Sequence, residues 1–170
     1  DFSEYEEDFD AIENEITVST TLPWWIKENH VEGHTNNPET IGKDLDYPHD
    51  YAYDYFNGAE NVRIYNDSIA DCHFQLTIYG PCENPRLLIG NQIYGLNCSL
   101  DAGEYALIRS REKKAYKIKN TGERESILRF RDGEYYLFEK LHPGSFRIAW
   151  DGLFGFEMIA YEERSEPLWI

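Results

Sequence analysis

Residues 73–95 read HFQLTIYGPCENPRLLIGNQIYG, and the way this stretch changes direction decides the fold. Phe74, Leu76 and Ile78 alternate with Gln75, Thr77 and Tyr79, the two-residue period of a strand with one buried face. Gly80-Pro81 ends that strand, because proline has no N–H to give a ladder and glycine relaxes the backbone for the exit. Asn84-Pro85 turns the chain: a residue before proline is pushed to extended geometry, and asparagine can bond its own backbone. Leu87, Leu88 and Ile89 then run into Gly90-Asn91, a two-residue II′ hairpin signal, with Gln92–Tyr94 returning beside them. The two Ile-Tyr-Gly copies are therefore separate strand exits, not a repeat unit.

The same pattern recurs along the chain. In SFRIAWDG, Phe146, Ile148 and Trp150 face one way and Arg147, Ala149 and Asp151 the other; in FGFEMIAYEE, Phe154, Phe156, Met158 and Ala160 share one side. NEITVST, NVRIYN, EYALIRS and KAYKIKN are further strand candidates, and EYYLFE reads either as a strand or as a short helical turn. Asp101-Ala102-Gly103, Asn120-Thr121-Gly122, Asp132-Gly133 and His142-Pro143-Gly144 each place turn chemistry between strand-like runs. No window sustains a helical period. A chain of 170 residues is long enough for one domain with a real core, and the expected fold is all-β, an antiparallel β-sandwich.

Two segments depart from this pattern. Between Asp1 and Ile26 there is no Lys or Arg, and DFSEYEEDFDAIENE is packed with carboxylates; residues 1–21 read as an acidic arm, or as the remnant of a preceding domain, ahead of a sandwich spanning 22–170. The first residue is not Met, which fits a fragment or a processed chain. Leu22 to Phe56 reads as a long, irregular connection. Within it Trp24 and Trp25 are expected to be anchored at the core edge, since exposing two adjacent indoles is costly.

The net charge of −16 excludes a nucleic-acid backbone or an anionic membrane surface as partner, and no apolar run is long enough to cross a bilayer. Cys72, Cys82 and Cys98 are an odd set without C-x-x-C spacing, expected to be free, mostly buried thiols made in a reducing cytoplasm. His30 and His34 sit four apart around Glu32, but the Glu does not follow the first His as zinc-protease chemistry requires, so they read as solvated. Asp44, Asp46, Asp50 and Asp54 suggest calcium, yet His49 and Tyr55 stand where an EF-hand needs Gly and Glu; a solvated acidic loop is the plainer reading. No nucleophile elbow, phosphate loop or dinucleotide fingerprint is present. No catalytic, cofactor-binding or metal-binding residue is nominated, and no enzyme activity is expected. A sugar-binding platform of aromatic rings and carboxylates is the competing class, although Trp150, followed by Asp-Gly-Leu, lacks the galectin pattern and reads as core.

From Leu22 onward the chain resembles the C-terminal half of siphophage distal tail proteins. The resemblance rests on the order of landmarks: Pro23-Trp24, Asp46-Tyr47-Pro48, Asn61 to Asn66, Ile78-Tyr79-Gly80-Pro81, Asn84-Pro85, Gly103-Glu104-Tyr105, Leu141-His142-Pro143-Gly144 and a last strand closing on Tyr161-Glu162-Glu163-Arg164. It implies a galectin-like, jelly-roll sandwich at the tip of a virion tail, assembled in the bacterial host cytoplasm. It implies a hexameric hub closed by an N-terminal domain, with the C-terminal domain projecting as an attachment point for receptor-binding or baseplate proteins and, in some members, touching host glycans. The ring-forming half has no counterpart in this sequence, so a hexamer is not expected of these residues alone.

Overall fold

The computed structural model describes Thr17, Ser19, Thr21, residues 24–35 and residues 62–166. Twelve strands and one 3-10 turn are built from them, and every strand pairing is antiparallel. The larger sheet is six-stranded: β1 (Trp25–Gly33), β12 (Gly155–Arg164), β3 (His73–Tyr79), β8 (Tyr105–Arg109), β9 (Lys114–Ile118) and β10 (Arg124–Ser126), in that order. The second has four strands in the order β2 (Arg63–Asn66), β11 (Gly144–Ala149), β5 (Arg86–Ile89) and β6 (Gln92–Gly95), and β4 (Cys82–Glu83) pairs with β7 (Ser99–Leu100). The fold is an all-β sandwich, as the alternation predicts.

The core lies between the two larger sheets. Phe74, Leu76 and Ile78 of β3, Phe156, Met158 and Ala160 of β12 and Ala106 and Ile108 of β8 meet Ile64, Leu87, Ile89, Tyr94 and Ile148 from the other sheet, all buried. The Phe74 and Tyr94 rings pack edge to face at 5.1 Å, a geometry their quadrupoles favour. Trp150 is half-buried, packs edge to face on Phe156 at 4.9 Å and donates Nε1–H to Phe154 O at 3.1 Å, as a core indole should.

The deciding stretch folds nearly as read. Ile89 pairs with Gln92, leaving Gly90-Asn91 as the two-residue loop; φ is +60° at Gly90 and not positive at Asn91, the II′ pattern. One detail differs. Asn84 is not extended but left-handed, with φ +47°, and its N–H donates to Cys98 O at 2.9 Å. Asparagine tolerates that region better than most residues, and the pairing of β4 with β7 sets the direction of the turn.

Four other expectations are corrected. Residues 25–33 form β1 rather than an irregular connection; Lys27, Asn29 and Val31 face inward, half-buried, while Glu28, His30 and Glu32 face solvent. Trp24 and Trp25 are 49% and 59% exposed instead of anchored, because β1 is an edge strand whose first residues overhang the core. EYYLFE is neither strand nor helix: Leu137 and Phe138 are buried in succession, a pattern neither period produces, and Tyr94 Oη donates to Glu139 O at 2.8 Å to hold the loop. Thr17 and Ser19 of NEITVST are exposed and lie in no strand. The acidic run 1–16 and the Asp44–Asp54 and Asp46-Tyr47-Pro48 features lie outside the described residues.

Candidate functional site

Outward-facing residues of the larger sheet line up across the strands. Register places Glu32 opposite Glu157, Glu157 opposite Thr77, Thr77 opposite Leu107 and Leu107 opposite Tyr116. The adjoining row runs Gly155, Tyr79, Tyr105, Ile118. Carboxylates therefore sit toward the β1 edge and aromatic rings toward the middle. The Tyr79 and Tyr105 rings lie 6.2 Å apart, and Tyr79 Oη donates to Glu157 Oε2 at 3.3 Å. Partial burial, then the adjacent Glu157 carboxylate, push the Tyr79 phenol above its usual pKa, so it stays a neutral donor.

Where the two rows meet β1 there is a shallow cleft of about 170 Å³, walled by Tyr79, Glu32, His34 and Glu157 and floored by Gly33, Gly155 and Phe156. Gly33 lets β1 pack closely on the floor, since a Cβ there would meet the Phe156 ring. The two histidines noted in the sequence flank it. His30 Nε2 is 3.1 Å from Glu28 Oε2 and its Nδ1 is 3.8 Å from Glu157 Oε1; His34 Nε2 is 4.0 Å from Glu32 Oε2. Each histidine is more than half exposed and faces carboxylates. Among the described residues no group of three or more His, Cys, Asp or Glu is placed to hold a metal ion. The chemistry on offer is hydrogen-bond acceptance at carboxylates and stacking on tyrosine rings.

The β1 edge itself is held by a buried carboxylate that sequence reading missed. Glu162 of β12 has no exposed surface. Its Oε1 accepts from Asn29 Nδ2 and from the Asp67 N–H at 2.9 Å; Oε2 accepts from Arg164 Nη2 at 3.2 Å, and Lys27 Nζ stands 3.7 Å from Oε1. Asn29 Nδ2 also donates to Tyr65 O at 3.1 Å, tying β1 to β2 across the two sheets. The signal for it was present in the alternation of FGFEMIAYEE, which puts Glu162 in line with Phe156, Met158 and Ala160.

The cysteines are free: Cys72 is buried, and Cys82 and Cys98 are half-buried. Burial pushes the Cys72 and Cys82 thiols up to about 11 and raises Cys98 as well, which makes them poor nucleophiles. No helix among the described residues is long and apolar enough to cross a membrane.

These features define an antiparallel β-sandwich with a tyrosine- and carboxylate-bearing outer face and an exposed edge strand. A solved structure described as "Structure of the Phage P2 Baseplate in its Activated Conformation with Ca" contains a chain of the same fold: the TM-score is 0.53 at 13% identity, over 84% of this chain and 55% of that one. This chain thus spans little more than half the length of that baseplate chain. No family model matches the sequence, and no curated protein matches it.

Proposed function

We propose that this chain is a non-enzymatic structural and adaptor component of a phage or prophage tail tip. The observation that carries it is the fold shared, over 84% of the chain, with a chain of a phage baseplate. In finer terms it corresponds to the galectin-like C-terminal domain of a siphophage distal tail protein, residues 22–170 forming the sandwich and 1–21 an arm or remnant. The landmark peptides support this by falling at strand boundaries: Gly80-Pro81 follows β3, Gly103-Glu104 precedes β8, His142-Pro143 precedes β11, and Tyr161–Arg164 closes β12. The sandwich acts as a rigid mount whose exposed edge binds receptor-binding or baseplate proteins. Trp24, Trp25 and Ile26, exposed together at the start of β1, supply the apolar contact area. Gold-labelled antibody against this chain is expected at the tail tip of purified virions; virions free of the chain would sink the reading. Light scattering is expected to give a species smaller than a hexamer, and a hexamer of these residues alone would show that the ring needs no further domain.

A stand-alone carbohydrate-binding module is the second reading, favoured by the Tyr79–Tyr105 pair beside Glu157. It predicts glycan-array signal that falls in a Tyr79→Ala chain. Silence on a broad array would remove it.

A further inference from the structure

The four-stranded sheet carries a charge pattern unlike the rest of the chain. Its strands β2, β11, β5 and β6 contain no Asp or Glu, although the chain has 32 acidic residues against 16 basic ones. Three arginines lie on these strands. Arg86 is paired with Asp132, its Nη2 3.1 Å from Oδ2. Arg63 and Arg147 stand directly opposite each other in register and are both exposed, an arrangement of like charges that destabilises a sheet by itself. Among the described residues neither makes an ion pair with a carboxylate. On the same outer face Tyr65 is 48% and Leu88 41% exposed, with Ile93 paired beside Leu88. The face is cationic and apolar on a strongly anionic molecule.

A matching segment exists in the same sequence. Residues 1–16 hold eight carboxylates, no Lys or Arg, and Phe2, Tyr5, Phe9, Ile12 and Ile16 interspersed. We propose that the outer face of the four-stranded sheet is the docking surface for this acidic, aromatic N-terminal segment of its own chain, its carboxylates neutralising Arg63 and Arg147 and its apolar side chains covering Tyr65 and Leu88. The connection is short enough. Asn29 touches Tyr65 of β2; five residues of strand, about 17 Å, separate Asn29 from Trp24. Residues 17–23, which join the segment to Trp24, can span up to about 24 Å, more than that gap.

The test uses the full chain. Nuclear magnetic resonance is compared between wild type and a chain with E4Q, E6Q, E7Q and D8N. The signals of Arg63, Tyr65, Leu88 and Arg147 are expected to shift on neutralisation, in the direction high salt shifts them in the wild type, while Thr77 and Leu107 on the opposite face stay put. Cleavage of the wild-type segment by a glutamate-specific protease is expected to accelerate about five-fold in R63E/R147E, the scale of a few exposed charge pairs. R63Q/R147Q, which keeps the face neutral, serves if the reversal does not fold. Unchanged face signals on arm neutralisation, or unchanged cleavage in both arginine variants, overturns the proposal. Shifts that grow with protein concentration overturn it too, because the occupant is then a second copy.

Discussion

Gly90→Val is the perturbation that most directly probes why the central stretch folds as a hairpin. Gly90 holds φ +60° at the first loop position of β5–β6, and its N–H donates to Arg147 O at 3.1 Å, so the loop is bonded to β11 as well as closing its own hairpin. Forcing a β-branched residue into the left-handed region costs about 1–2 kcal/mol. A Cβ there would also stand 2.8 Å from Phe146 Cδ1, and displacing that half-buried ring adds about 1 kcal/mol. The expected loss is therefore about 2–3 kcal/mol, read as a fall in the urea midpoint with an unchanged slope. Gly122→Val separates the two contributions. Gly122 has φ +82°, and a Cβ added to it would meet nothing within 4 Å, so only the conformational cost of about 1–2 kcal/mol applies. Equal losses at the two positions would refute the contact with Phe146, and a Gly90→Val chain within about 0.5 kcal/mol of wild type would refute the hairpin geometry itself.

Other outcomes follow from the buried and paired groups. Glu162→Ala leaves Asn29, the Asp67 N–H and Arg164 without their acceptor and should cost about 3 kcal/mol, with hydrogen exchange accelerated first along Lys27–Val31; uniform acceleration across the sandwich would show that the carboxylate does not specifically hold β1. His142 Nδ1 lies 2.8 Å from Asp71 Oδ1, and that hydrogen bond raises the imidazole above 6.5. Its contribution is complete below pH 6.5 and fades as pH rises through the elevated value, so the stability gap between wild type and Asp71→Asn should close in alkali; a gap that widens there would contradict the pairing. The three thiols should react far more slowly with iodoacetamide at neutral pH in the folded chain than in urea, since burial raises their pKa values; equal rates would contradict the burial.

Where alternation was clean, the sequence led straight to the fold. β3, and β12 as far as Ala160, place apolar residues at every second position, and Gly90-Asn91 carries the φ requirement of its loop in its own chemistry. β1 was hidden because both of its faces are polar. Lys27 and Asn29 point inward, and they are tolerated only because Glu162 and Asp67, distant in sequence, receive them. Local periodicity cannot show a partner 133 residues away. The tryptophans misled for the converse reason: burial was assumed from their size, whereas an edge position leaves them outside. The tyrosine-carboxylate face was invisible at the sequence level because Glu32, Glu157, Tyr79 and Tyr105 come from four different strands, and only register brings them together.

The place of β12 has a consequence for how the sandwich is made. It is the last strand in chain order among the described residues, yet it lies between β1 and β3, pairing with both along its length. Until residues 155–164 have left the ribosome, β3, β8, β9 and β10 can assemble, but β1 has no strand of its own sheet to pair with. Closing the sheet then requires contacts across more than 100 residues of chain for β1 and about 80 for β3, the non-local kind that slows folding. A nascent chain stalled before Gly155 should therefore expose Phe74, Leu76 and Ile78 along an open edge of β3.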